Sequence, residues 1–497
     1  MNQRNFLAGV ASSGWTALIG LLVVPWYIKY LGIEAYGIIG VYLTMQNIFV
    51  LLDMGLTPAV SRDVARSLAS GAMHHARVLV HSMSILFVLS GGMMALALAG
   101  LSPWIAGTWL KTGGLPVEEA TVSLALAALA IGAKWPATLY VGVLNGARRV
   151  DLASVVTIAT TTLANVGAVV ILAFVEQSLR AFFLWQILIG VTHSLAMWWA
   201  TRRAIVMEPG IRFDWGAIRS IWRFSVGMAA VAATGILFSQ IDKVVLMRTA
   251  TLEQVGYYAI ATALAGILYR LITPAFNVVY PQFSMLVETA SPEVLSTQYH
   301  LSTRIFLGVI FPVAMFLIIY ARPILSIWIN DRSVVDSGAV LVALLSTGTA
   351  IHCAMYFPYA LQIAKGMVKI PLYINIMLSF AFIPAVSLLS SSMGATGAAI
   401  AWVILHCAYF ALGTYMTNRY VLPGEGWRWI LHGVAPPLAI SVLFGFGAAA
   451  TVSIAGTNVL QLLIGVVFAS GALVTSAVML PETRMAMKRF ANGITTK

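Results

Sequence analysis

Apolar residues run along this chain in blocks of about twenty, separated by short polar segments. A helix crossing about 30 Å of hydrocarbon needs ~20 such residues, and it satisfies every backbone group internally. That length, applied repeatedly, predicts fourteen membrane helices, at 7–28, 36–57, 78–100, 121–144, 152–174, 180–200, 222–247, 254–278, 304–320, 338–363, 370–390, 396–418, 431–452 and 457–480. The eighth is the least regular, because Arg270 and Pro274 interrupt it. The first follows Asn2-Gln3-Arg4-Asn5 and runs apolar to Pro25. No small-residue cleavage site comes after it, so it reads as an uncleaved span rather than a signal peptide.

Composition agrees with lipid as the solvent. Of 497 residues 60% are apolar and 9% charged, against about 45–50% and about 25% in an ordinary soluble domain. A soluble enzyme, a disordered chain and a secreted disulfide scaffold are all excluded. The 29 Lys+Arg against 17 Asp+Glu give +12. With the N-terminus in the cytoplasm, 20 of the cations fall in inside segments, 7 in outside segments or helix ends, and 2 within spans, Lys134 and Arg270. The positive-inside rule produces that bias, so nucleic acid is not needed to explain the charge. Both termini are expected in the cytoplasm, the chain ending in a basic tail. Cys353 and Cys407 lie in apolar runs with no metal spacing and read as buried bystanders.

The chain carries signs of a repeat. Glu34-Ala-Tyr-Gly37 opens the second span and Glu253-Gln-Val-Gly256 the eighth, 219 positions later. Thr-Pro-Ala follows each, at 57–59 and 273–275, where the offset is 216. After the fourth and tenth spans stand Asn145-Gly-Ala-Arg-Arg149 and Lys365-Gly-Met-Val-Lys369, with Gly146 and Gly366 separated by 220. Six spans, an even number, keep the copies in the same orientation. The expectation is an all-α integral membrane protein: two parallel-repeat six-helix lobes around a central cavity, with two further C-terminal helices, an architecture of secondary transporters. The boundaries are 1–205, 206–425 and 426–497.

Segments outside the membrane are at most about 20 residues (58–77, 101–120, 201–221 and 279–303), and no Walker-type loop occurs. An ATPase, and a polymerase or glycosyltransferase that needs a sizeable extramembrane loop, are therefore disfavoured. No His, Asp or Glu set recurs at metal-ligand spacing. His81, His193, His352 and His406, each in or at the end of a span, read as interior polar groups. The chain is read as a transporter without cofactor or metal, not an enzyme.

Ionisable groups at bilayer depth cost about 2.5–3.5 kcal/mol on insertion scales and usually face a cavity or a partner. Four qualify. Lys134 shares a helical face with Thr138 and Asn145, and Arg270 with Gly266, Thr273 and Asn277. Asp53 lies on a stripe with Tyr42, Gln46 and Thr57, and Asp242 beside Gly235 and Ser239. Lys134 and Arg270 would line the cavity with positive charge suited to a phosphate-bearing substrate. Asp53 and Asp242 are candidates for ion coupling or for interlobe pairing, for example of Asp53 with Arg270. Structural ion pairs and snorkelling are the alternatives. Most aromatics sort to the span ends as an interfacial belt. Trp135 and Tyr269 instead adjoin the two intramembrane cations, in reach of a sugar ring or of core packing.

Pro25-Trp-Tyr-Ile-Lys-Tyr-Leu-Gly-Ile-Glu-Ala-Tyr-Gly37, Leu51-Leu-Asp-Met-Gly-Leu56 and Ser61-Arg-Asp-Val-Ala65 resemble the opening of Wzx-type polysaccharide flippases, members of the multidrug/oligosaccharidyl-lipid/polysaccharide (MOP) exporter superfamily. Gln240-Ile-Asp-Lys-Val-Val245 and Val255-Gly-Tyr-Tyr-Ala259 resemble that family's seventh and eighth helices. The resemblance implies alternating access that moves an undecaprenyl-diphosphate-linked oligosaccharide, an O-antigen or capsule repeat unit, outward across the bacterial inner membrane. H+ or Na+ would drive it, and other polysaccharide-assembly membrane proteins would be partners. Lys134 and Arg270 would attend the diphosphate and glycan. Many relatives stop at twelve helices; lipid II flippases of the superfamily have fourteen, but their arginine-rich first-helix signature is absent here. A multidrug or cation antiporter and a lipid II-type flippase are the alternative readings.

Overall fold

The structure is a computed structural model that describes residues 3–53, 55–205, 210–452 and 456–479. Among them it is helical throughout, with strand-like pairing limited to a single bridge between Lys111 and Thr251. The expected basic tail, with Arg484, Lys488, Arg489 and Lys497, lies outside the described residues. The chain divides into two compact units, Met1–Gly256 and Tyr257–Lys497.

The first unit begins with α1 (Gln3–Leu22), α2 (Val24–Leu31), α3 (Ile33–Leu52), α4 (Leu56–Ala69) and α5 (Met73–Trp104). It continues with α6 (Val117–Gly146), α7 (Val150–Phe174), α8 (Leu179–Ala204) and α9 (Trp215–Thr249). Its centre is α6, which packs against α4, α5 and α8. Small residues make this possible: a Cβ on Gly132 would meet the Ala95 Cβ at 2.5 Å and the Gly91 carbonyl at 2.7 Å, and one on Gly190 would meet the Ala130 carbonyl at 3.2 Å. Helices in lipid associate through such close approach, because lipid supplies no hydrophobic drive between them.

From α10 (Leu252–Thr289), which opens at the unit boundary, the chain enters the second unit. There follow α11 (Pro292–Ile319), α12 (Ala321–Trp328), α13 (Arg332–Ala354), α14 (Tyr356–Ala364) and α15 (Lys369–Met416). The last three are α16 (Gly426–Trp429), α17 (Ala435–Val452) and α18 (Asn458–Val478). α13 packs on α11 and α15, while α17 and α18 pack on each other and on α11. Starts are capped where sequence chemistry allows: Asp331 accepts from the N–H groups of Ser333 and Val334, Ser178 from Ala181, and Thr457 from Leu460.

Twelve helical segments among the described residues are long and apolar enough to cross a membrane, where the sequence predicts fourteen. The expected spans 370–390 and 396–418 lie in one element, Lys369–Val421, broken where Gly394 adopts φ 58°, ψ −136°. A side chain makes that backbone region inaccessible, which is why glycine sits there. The expected span 222–247 falls within α9, many of whose side chains lie outside the described residues. Two expected loops are helical instead: α4 occupies most of 58–77, and α10 and α11 meet at 290–291 within 279–303.

The repeat appears in matched local geometry. In the turn after α6, Arg148 N–H bonds to Asn145 O and Arg149 N–H to Leu144 O; after α14, Gly366 N–H bonds to Ile363 O and Met367 N–H to Gln362 O. Arg148 and Gly366 both take a left-handed φ, 56° and 71°. The turns therefore superpose at an offset of 218, correcting the pairing of Gly146 with Gly366. The slip from 219 to 216 upstream also has a cause. In the first copy the helix breaks between α3 and α4, where Gly55 takes φ 68°, while α10 runs through unbroken. That break absorbs the three extra residues.

Candidate functional site

Lys134 lies within α6, about 25 Å from its start at 1.5 Å per residue. Gly132, Trp135, Pro136 and Ala137 around it are buried, yet Lys134 itself is exposed. α5 and α8 grip the other faces of the helix, the latter through Ser194, whose hydroxyl donates to the Ala133 carbonyl at 2.6 Å. The open face continues through half-buried Thr138 to exposed Asn145, the stripe expected from the spacing. His193 on α8 bonds through its Nδ1 to Thr160 Oγ1 at 2.7 Å.

Arg270 is the other intramembrane cation, in the second unit. On α10, Arg270, Thr273 and Asn277 are exposed and Gly266 is half-buried, again the expected face. Pro274 has no N–H, so the carbonyl of Arg270 loses its helical donor and the helix is weakened at this turn. Among the described residues, neither Lys134 nor Arg270 has a carboxylate within ion-pairing distance.

The carboxylates behave differently. Asp53 accepts from the Thr57 hydroxyl at 2.6 Å and from the Thr57 N–H at 3.2 Å, tying the chain across the α3–α4 break. Asp242 is buried, with the Lys243 ammonium 3.2 Å from its Oδ1; the same ammonium donates to the Ser239 carbonyl. Each thus has a structural partner within its own unit.

Trp135 is a packing residue. It is 5% exposed, stacked on Phe87 at 5.7 Å and met edge-on by Phe49, with its indole N–H pointing to Ser90. No face is left for a sugar. Tyr269 is half-buried, its hydroxyl 2.7 Å from His352 Nδ1.

The sequence reading missed a ridge of aromatics along α10 and α14. Phe276 stacks on Tyr280 at 5.8 Å and on Tyr359 at 5.6 Å, and meets Tyr356 edge-on; Tyr356 in turn touches Tyr269. All five are half-buried. The signal was present as Phe276/Tyr280 at i, i+4 and Tyr356/Tyr359 at i, i+3, spacings that place each pair on one helical face. Half-exposed rings offer stacking for sugars, and an exposed guanidinium on the same helix offers charge for phosphate.

A family model described as polysaccharide biosynthesis protein matches residues 29–332, more than half of the chain. The chain belongs to the polysaccharide biosynthesis protein family. The match covers the first unit from residue 29 onward and continues through α10 and α11, so it includes both exposed cations. No curated protein matches at the sequence level. Among solved structures, the lipid II flippase MurJ in an inward closed conformation aligns with a TM-score of 0.69 at 13% identity, over 96% of this chain and 100% of that one. An inward-facing multidrug resistance MATE family transporter of the MOP superfamily aligns at 0.67 and 15%, over 81% and 95%. A MOP superfamily transporter from Pyrococcus furiosus, described as having a binding pocket of reversed polarity, aligns at 0.52 and 14%, over 90% and 95%. At these identities the likeness is one of fold: this family member is a multi-pass, all-helical membrane protein with the MOP-type transporter fold.

Proposed function

We propose that this chain is a flippase that moves an undecaprenyl-diphosphate-linked oligosaccharide, an O-antigen or capsule repeat unit, from the cytoplasmic to the periplasmic leaflet of the bacterial inner membrane. It works by alternating access coupled to an ion, with both termini in the cytoplasm and with two repeats, 1–205 and 206–425, as the moving lobes. One observation carries the reading: Arg270 is exposed within an apolar helix whose following turns carry Phe276 and Tyr280, half-buried in a ridge with Tyr356 and Tyr359. An exposed guanidinium within a span is costly unless something anionic visits it. A diphosphate joined to sugars supplies the anion for Arg270 and the rings for the ridge. Lys134, also exposed within an apolar helix, is a second cation suited to an anionic substrate. Membership in the polysaccharide biosynthesis protein family supports this substrate class. An antiporter for cationic drugs would call for accessible acids, whereas Asp53 and Asp242 are engaged by Thr57 and Lys243.

The test is depletion of the protein followed by complementation with wild type, Lys134→Ala or Arg270→Ala. Lipid-linked intermediates should accumulate on the inner leaflet and surface glycan should fall. Neither variant should restore it at normal membrane levels. Unchanged surface glycan together with altered sensitivity to cationic drugs would overturn the reading in favour of the antiporter.

A further inference from the structure

Two histidines 54 positions apart in sequence meet inside the second unit. His352, in the last turn of α13, and His406, in the second stretch of α15, have ring centroids 4.5 Å apart at 56°. His406 is fully buried and His352 half-buried. The Nδ1 of His406 lies 2.8 Å from the Trp402 carbonyl. A carbonyl only accepts, so this nitrogen already carries a proton, and any further proton must go to Nε2. The Trp402 ring lies 4.2 Å from His406 and holds it in place, its own N–H pointing to Thr349.

His352 is joined to a different element. Its Nδ1 is 2.7 Å from the Tyr269 hydroxyl. With Nδ1 unprotonated, the phenol donates to it; with Nδ1 protonated, the bond must reverse and the phenol proton must turn to another acceptor. Tyr269 immediately precedes Arg270, on the turn of α10 that Pro274 weakens. The groups against the pair are Tyr269 on α10, Tyr356 on α14, and Trp402 and Tyr409 on α15. Two imidazolium charges at this separation repel strongly, so the pair takes up one proton between them.

We propose that His352 and His406 form a one-proton site in the second unit, wired through Tyr269 to the turn that carries Arg270, and that its protonation couples proton movement to transport. This rests on the transport reading above and gives the coupling ion a place: H+ at a histidine pair, rather than at Asp53 or Asp242. When the shared proton sits on His352 Nδ1, the Tyr269 bond reverses and so acts on the turn that presents Arg270. Release restores it.

Proton binding and transport are tested separately. The full chain, carrying isotope-labelled histidine, is placed in lipid nanodiscs and titrated by NMR from about pH 5 to 9, the two signals being assigned with His352→Gln and His406→Gln. The two rings should share a single coupled protonation step, and loss of either ring should move the midpoint of the other. Independent titration, or none, overturns the proposal. Translocation is then followed in inverted vesicles containing lipid-linked glycan. For one coupled proton, a gradient of one pH unit should shift the equilibrium distribution of glycan between the leaflets by about tenfold. His406→Gln should keep the gradient-independent rate and lose the gradient response, and His352→Gln serves as the second variant should the first not reach the membrane. A gradient response that persists in these variants overturns the proposal. If the wild type moves no glycan while the coupled titration stands, the flippase reading fails and the proton site does not.

Discussion

Gly37 and Gly256 occupy equivalent places in a reciprocal contact, 219 positions apart. A Cβ added to Gly37 would fall on the Leu252 carbonyl oxygen, and one added to Gly256 would lie 2.7 Å from that of Ile33. Ile33 and Leu252 are themselves 219 apart and open α3 and α10. Residue i touching j′ while i′ touches j is the mark of a local two-fold relation. The two short motifs that open the repeats are therefore there for packing: each glycine is the hole into which the other copy's helix start fits.

Gly37→Ala and Gly256→Ala should each destabilise the protein by about 1–3 kcal/mol, since the obstacle is backbone and cannot rotate away. Gly92, with nothing within 4 Å of its missing Cβ, is the control, and Gly92→Ala should melt like wild type. Thermal unfolding in detergent, followed by size-exclusion fluorescence, reads the difference. Equal melting of Gly37→Ala and Gly92→Ala would show that the close contact does not form.

The aromatics divide by role. Trp135→Ala should lower stability by about 3–5 kcal/mol as a buried large-to-small change, while Trp135→Phe should restore surface glycan. Phe276→Ala and Tyr359→Ala should reach the membrane at normal levels but restore little glycan. A glycan defect in Trp135→Phe at full expression would return that residue to the binding surface.

Asp53 accepts from the Thr57 hydroxyl and N–H, bonds that an amide oxygen in its place can also accept. Asp53→Asn should support normal glycan export; Asp53→Ala should cost about 1 kcal/mol, as loss of a helix cap does. Loss of export in a well-folded Asp53→Asn would instead identify an ion-coupling carboxylate.

Asp331 caps α13 outside the spans, and the Ser333 hydroxyl, with the N–H groups of Val334 and Ser333, holds its carboxyl below the usual range. A depressed folded value stabilises above the unfolded pKa of about 3.9 and is lost as pH falls through the folded value. Asp331→Ala should therefore melt below wild type at pH 7, and the gap should narrow progressively below about pH 4. A gap independent of pH would mean that the charge contributes nothing to the cap.

Much of this protein was legible without coordinates, because lipid makes the sequence obey simple rules. Backbone groups with no water must be bonded within the segment, so span length and apolarity alone dictate helices. Lys134 and Arg270 stand out for the same reason, and helical spacing identified their exposed faces, Thr138 and Asn145 in one case and Thr273 and Asn277 in the other. The offset near 219 was visible because the two copies must make the same close approach at Gly37 and Gly256.

What the sequence could not contain was which helices touch. His352 and His406 looked like isolated interior histidines until α13 and α15 brought their rings to 4.5 Å. Trp135 adjoined a cation in sequence, yet Phe87 and Phe49 from other helices took its faces. Apolar periodicity marks a face as buried without naming what covers it, because the attraction is non-directional and any complementary surface satisfies it. Only the tertiary packing decided whether a given polar or aromatic side chain met another helix, a hydrogen-bond partner or open space.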